Sequence, residues 1–362
     1  MASSSLSAFA QNAGAASPQA ARRVAIWLFV MCGLVAAMVI VGGATRLTDS
    51  GLSIVEWRPV TGAIPPLTET HWLEEFEKYK TIPEYEEVNF GMSLDQFKEI
   101  YWWEWGHRFL GRLIGLAFLL PLIAFIATKQ IGRPLMIKLG GLFVLGGLQG
   151  ALGWWMVSSG LADRVDVSQY RLAAHLALAT ALFAAMFWLA LDLWPSRKMA
   201  GPRKLFIGGA LLAGGVFVQM MLGAFVAGLR AGRTFNTWPL MDGRFFPDGY
   251  FNGAPGVNDL FESIAAVQFN HRIGAYLVAA GALWFWLAAR KTAAAPRARL
   301  VLAAVGLQIV LGIWTVLAAT PIALGLVHQA GALGVLAAAL FAVHGMAPPA
   351  STAAPSDRSS HQ

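Results

Sequence analysis

Four histidines occupy matching places in two halves of this chain: His107 and His175, then His271 and His328. Each lies near the start of a long apolar segment, in "EWGHRFLGR", "YRLAAHLAL", "QFNHRIGAY" and "GLVHQAGAL". A lone histidine of this kind reads equally well as an interhelical hydrogen-bonding group. Imidazoles at membrane depth are costly without partners, so a repeated pair of pairs calls for a ligand. The ligand that two facing membrane-helix imidazoles most often hold is haem iron. Gly111, Ala179, Ala275 and Ala332 follow the four histidines by one helical turn and leave room for a flat macrocycle, although small residues are common in membrane helices anyway. His71, His344 and His361 do not join the pattern.

The halves differ beside the first histidine of each pair. Glu104 stands three residues before His107, on the same helix face, and Gln268 stands three before His271. A carboxylate beside an iron site can move protons or stabilise developing positive charge, whereas an amide only hydrogen-bonds. The first half therefore reads as reactive and the second as an electron-transfer site. Glu104 also has a plain reading, an interfacial acid near a helix start. Arg108 and Arg272, next to their histidines, are suited to anionic propionates at the outer surface, and equally to snorkelling toward lipid headgroups. Arg46 and Glu56, in the outer segment, are further candidates for site contacts or ordinary loop ion pairs.

The elements that must position these residues are membrane helices. Of 362 residues, 57% are hydrophobic and 13% charged, and mean hydropathy is positive, far from a soluble domain. Apolar runs at Val24–Thr45, Leu113–Thr128, Leu139–Ala162, Leu172–Leu191, Leu205–Leu229, Ile273–Ala289, Leu300–Pro321 and Ile322–Val343 predict eight spans. The runs at Leu113 and Ile273 reach span length once extended backward through His107 and His271. "LAATPIALG" suits a tight turn between the last two helices.

Lys and Arg crowd the N-terminus and the second, fourth and sixth connections, which places these and the C-terminal tail in the cytoplasm and the four histidines in the outer half of the bilayer. The net charge of +7 is this bias, and no basic–aromatic stretch marks a nucleic-acid site. Cys32 is the only cysteine, so no disulfide framework or thiol relay within the chain exists.

The phrases around Gln149, Gln219 and Gln308 repeat, each with Gly four residues on (Gly153, Gly223, Gly312), and read first as close helix packing. The expected fold is an all-α polytopic membrane protein of eight transmembrane helices in two tandem pseudo-symmetric four-helix bundles. The expected organisation is a disordered N-terminus 1–23, a first bundle 24–191 with an outer lid 46–103, a linker 192–204, a second bundle 205–343 and a cytoplasmic tail 344–362.

"GGATRLTDSGLSIVEW", "EWGHRFLGR", "GWWMVSSGL", "SQYRLAAHL", "AGLRAGRTFNTWPLM" and "FNHRIGAY" together resemble the haem A synthase family, over nearly the whole chain from about Ala25 to His344. The resemblance implies a membrane oxidoreductase that converts the C8 methyl of haem O to a formyl group through an alcohol, with water as the oxygen source. It implies that His271 and His328 ligate a resident haem b, that His107 and His175 hold the substrate haem, and that Glu104 is the catalytic acid. It implies haem O synthase and cytochrome c oxidase as neighbours in the pathway. The acid-poor N-terminal residues have no Arg before Arg22, which argues against a transit peptide and puts a bacterial inner membrane ahead of a mitochondrial one. The chain lacks the outer-loop cysteine pair of some members and so sits with the cysteine-free group of proteobacteria and mitochondria. The competing reading is a bis-histidine di-haem b cytochrome in quinone-linked electron transfer, and a haem carrier is a further one. Oligomeric state, a homo-oligomer included, and the electron acceptor are open at this point.

Overall fold

The computed structural model describes residues 10, 13–162, 164–195, 199, 202–253 and 257–346. The C-terminal tail from residue 347, with His361, lies outside them, as do residues 1–9 and Arg197 and Lys198 of the linker. Among the described residues the ordered elements are helical, apart from two isolated bridges.

Among the described residues, eight helices are long and apolar enough to cross a membrane. These are α1 (Pro18–Leu47), α4 (Leu94–Ala127), α5 (Arg133–Val157), α6 (Gln169–Leu193), α7 (Arg203–Gly228), α9 (Ile264–Ala289), α10 (Ala295–Leu317) and α11 (Ile322–His344). Three short helices lie outside the spans: α2 (Glu69–Tyr79), α3 (Pro83–Glu87) and α8 (Asp259–Glu262). Large apolar side chains such as Leu211, Val144 and Leu277 are 72, 69 and 68% exposed on the helix flanks. That is the surface lipid covers, since apolar area of this extent is not left to water.

Local chemistry sets the helix ends. Ser17 caps α1 by accepting from the Ala20 amide, with Pro18 at the first helical position. The order of the chain therefore begins earlier than the disordered 1–23 expected from composition. Residues 13–16 are held against the α4–α5 connection by Ala16 N–H to Gln130 O and Gly132 N–H to Gly14 O. The turn between α10 and α11 has Ala319 and Thr320 at positive φ ahead of Pro321, the tight reversal that "LAATP" predicts.

α4 departs most from expectation. It starts at Leu94, behind a capping box between Ser93 and Gln96, and runs for 34 residues. At ~1.5 Å per residue it is about 51 Å long, well beyond a hydrocarbon core of roughly 30 Å. Its first turns therefore stand above the membrane and belong to the lid. There Phe97 stacks on Phe76 at 4.9 Å and lies 5.3 Å from Tyr79 of α2. Tyr79 and Phe97 are fully buried, each worth about 1.5–3 kcal/mol of burial.

The spanning helices pack in order around two rings. α1 packs on α4 and α6, and α5 packs on α4 and α6; in the second half α7 packs on α9 and α11, and α10 on α9 and α11. α6 against α7, and α1 and α6 against α11, join the two sets. The histidine-bearing helices of each set, α4 with α6 and α9 with α11, thus face one another diagonally across a ring.

Within the lid, Glu84 is buried and accepts from the Tyr79 hydroxyl at 3.1 Å. Burial, then the neighbouring carboxylates Glu104, Asp166 and Asp49, pushes its pKa up from 4.5 to about 8, against the Tyr79 hydrogen bond. The folded lid therefore binds more protons than the unfolded chain between pH 4.5 and about 8. Raising pH through that window destabilises the lid. Glu84→Gln is expected to remove this slope, read as hydrogen exchange across α2 and α3 at pH 6 and pH 9. An unchanged slope in the variant would refute the assignment.

Candidate haem sites

His271 of α9 and His328 of α11 bring their ring centres to 6.4 Å at an interplanar angle of 79°. A metal–imidazole bond of about 2 Å on each side, plus roughly 1 Å from nitrogen to ring centre, spans about 6 Å. The pair therefore stands at the separation that one iron between two imidazoles requires. All four histidines are half-buried.

Each imidazole rests on a glycine of the preceding spanning helix. A Cβ built on Gly42, Gly153, Gly223 or Gly312 would lie 3.2, 3.0, 3.2 and 2.9 Å from Cε1 of His107, His175, His271 and His328 in turn. The glycines therefore form cradles that any side chain would fill. Gly312→Val is expected to push His328 off its position opposite His271, since its Cβ would meet the ring at 2.9 Å. The ring separation in a structure of the variant checks this, and an unchanged 6.4 Å would contradict it.

Three of the rings are also held by an amide. Gln219 Nε2 donates to His271 O at 2.8 Å and lies 3.0 Å from His271 Nδ1. Gln308 Nε2 repeats this at His328 with 2.7 and 3.1 Å, and Gln149 Nε2 at His175 with 3.0 and 3.2 Å. Each amide's Oε1 is buried without a partner. A half-turn of the amide offers that oxygen to a ring N–H, the partner that a metal-bound imidazole needs on its second nitrogen. The repeated Gln-x-x-x-Gly phrase was legible in the sequence as helix packing; its contact with histidine was not.

Glu104 is 2% exposed and takes four hydrogen bonds. Oε2 accepts from Ser53 Oγ and from the Ile54 amide, both at 2.8 Å. Oε1 accepts from Arg108 Nε at 3.0 Å and Nη2 at 2.6 Å. Arg108 also donates to the lid carbonyls of Ile54 at 2.8 Å and Glu56 at 2.9 Å. The set of donors fits an ionised carboxylate. The lid closes over it further through Trp57, stacked on Trp154 at 6.0 Å.

The second half repeats this frame without the charge. Gln268, 3% exposed, donates to Phe235 O at 3.2 Å, and its Oε1 is buried and unpartnered. Arg272 donates to the same carbonyl at 2.9 Å.

Arg46 and Glu56 are placed in ion pairs. Arg46 meets Asp49 at 3.3 Å and Asp166 at 3.1 Å, and Arg230 meets the same two carboxylates at 3.0 and 2.9 Å. This network ties the end of α1 to both halves. Glu56 pairs with Arg58 and with Lys78. Ser53, the Ile54 amide and Phe235 O are site residues that sequence reasoning missed, since each reaches the site from a turn with no periodic signal.

Helices and site together define a multi-pass membrane protein with two histidine-lined crossings, one of them carrying a buried carboxylate. The chain belongs to the COX15-CtaA family of cytochrome oxidase assembly proteins, whose model matches residues 25–340. Among similar proteins, one of Parvibaculum lavamentivorans called "Heme A synthase" is 56% identical, over 90% of this chain and 94% of that protein. Relatives of the same name from Nitrosospira multiformis and Caulobacter vibrioides are each 51% identical, over 89 and 88% of this chain and 92 and 94% of theirs.

Proposed function

We propose that this chain is a haem A synthase, an oxidoreductase that converts the C8 methyl of haem O to a formyl group. The observation that carries the reading is the buried, four-times hydrogen-bonded Glu104 one turn before His107, where the matching position before His271 holds the amide of Gln268. The relatives' shared name supports the substrate.

In this reading His107 and His175 hold haem O from either face, and His271 and His328 hold a resident haem b. When bound, haem b accepts electrons one at a time. The methyl group gives up two electrons and one proton, and the water whose oxygen bonds to the carbon gives up the second proton, leaving the alcohol. A second such oxidation gives a hydrate, which loses water to leave the formyl group. Glu104, held in place by Arg108, Ser53 and the Ile54 amide, stabilises the positive charge that develops as electrons leave the methyl carbon. Its lone pairs are occupied, so it holds charge before it takes a proton; accepting one requires Ser53 or Arg108 to let go. The lid over Glu104 keeps bulk water from the oxidised carbon. Arg108 and Arg272, at the outer edge of the two sites, are the cations on the propionate side.

The protein in this reading lies in a bacterial inner membrane, with the lid outside, both termini in the cytoplasm, and haem O synthase and cytochrome c oxidase as its neighbours in the pathway. Expression beside a haem O synthase, in a host that makes no haem A, tests the function. Haem extracted from the membranes is expected to include haem A or its alcohol precursor. Haem B and unaltered haem O alone would favour an electron-transfer cytochrome or a carrier.

A further inference from the structure

We infer that His107 is the yielding ligand of the first half, and that Met38 makes it so; this rests on the proposed haem ligation. Three imidazoles are pinned by a glutamine that stands four residues before the glycine cradling the ring: Gln149 before Gly153, Gln219 before Gly223 and Gln308 before Gly312. In the fourth crossing the cradle is Gly42, and four residues before it is Met38. Methionine matches glutamine in length but has no amide to hydrogen-bond a ring nitrogen or a backbone carbonyl. Its Cε lies instead 3.1 Å from where a Cβ on Gly111 would stand, in the turn after His107. Among the described residues His107 makes no side-chain hydrogen bond.

A metal-bound imidazole whose second nitrogen is held is fixed in orientation and is the better ligand. One face of the first site is thus held by a pinned ring, His175, and the other by a ring free to turn. Both rings of the second site are pinned. The asymmetry matches the demands on the two halves, since a substrate haem must enter and leave while a resident haem stays. The residues flanking His107, Glu104 and Arg108, are locked to the lid. The loosened element is therefore the imidazole alone, and the carboxylate stays in place as the haem exchanges.

The test uses purified holoprotein from cells making haem O, mixed with excess apomyoglobin as haem acceptor. Residual haem O or A and residual haem B are followed separately by chromatography. The first-half haem is expected to leave at least about tenfold faster than haem B. Met38→Gln is expected to slow that loss about tenfold and to strengthen the low-spin ferric signal of the first-half haem. Met38→Leu, which changes shape without adding an amide, is expected to leave both unchanged. Gln308→Met is expected to speed haem B loss alone. An unaltered rate and spectrum in Met38→Gln, or equal slowing in Met38→Leu, would overturn the inference. His107→Ala separates the two layers. If it removes the low-spin signal, ligation stands whatever Met38→Gln does; if the signal survives, the ligation reading falls and the inference with it.

Discussion

Glu104→Gln is expected to lower haem A formation by roughly 10²–10³-fold, the range for removing one preorganised charge-stabilising group, with haem content and visible spectra close to wild type. The substitution is nearly isosteric, so the lid has no steric reason to open. What changes is charge and donor matching. Four donors converge on the carboxylate, from Ser53, Ile54 and Arg108. An amide presents one acceptor and one donor, so its NH2 end must face either the Arg108 guanidinium or the Ser53 and Ile54 donors. The chain contains a relaxed version of this arrangement at Gln268, which donates to Phe235 O and leaves no carboxylate beside its histidine. Turnover with haem composition measured on the same sample checks the point. Activity near wild type would show that the carboxylate is dispensable.

Arg108→Leu is expected to be the most destabilising single change at the site. It removes two charge-assisted bonds from a buried carboxylate and strips donors from Ile54 O and Glu56 O. Breaking a buried pair from one side costs about 3–5 kcal/mol, because the remaining charge is stranded. Arg108 is 19% exposed at the side chain against 3% for Glu104, so solvent reaches the cation's edge and the cost falls toward the low end. Arg272→Leu, beside a neutral Gln268, strands no charge and is expected to cost less. Faster hydrogen exchange at Ser53 and Ile54 in the Arg108 variant, and little change around Phe235 in the Arg272 variant, is the expected pattern. Equal effects would mean that the arginines serve only as lid anchors and that the charge on Glu104 contributes nothing.

Much of the architecture was legible in the chain because it rests on local rules. Hydropathy marked eight spans, and among the described residues eight helices are long and apolar enough to be them. The His-Arg repeats and the Glu104/Gln268 contrast were visible as motifs. The extent of α4 was not, because "SLDQFKEIYWWEW" stands above the membrane, where hydropathy carries no signal; the Ser93–Gln96 capping box was the available clue. The partners of Glu104 were hidden for a different reason. Ser53 and Ile54 lie about fifty residues away in an irregular turn, and non-local contacts of that kind leave no period in a sequence. The glutamines were seen as a repeat, but a repeat names a register and not the side chain it meets. Only the packing of α5 on α6, α7 on α9 and α10 on α11 brings each amide to an imidazole.

The division of labour between the two histidine pairs is tested most directly by haem composition in two variants. His175→Ala and His328→Ala are each purified from cells making haem O, and the bound haems are extracted and identified by chromatography and mass. The account predicts that His175→Ala keeps haem B but loses haem O and haem A, and that His328→Ala loses haem B. Haem B lost from the His175 variant and kept in the His328 variant would contradict it.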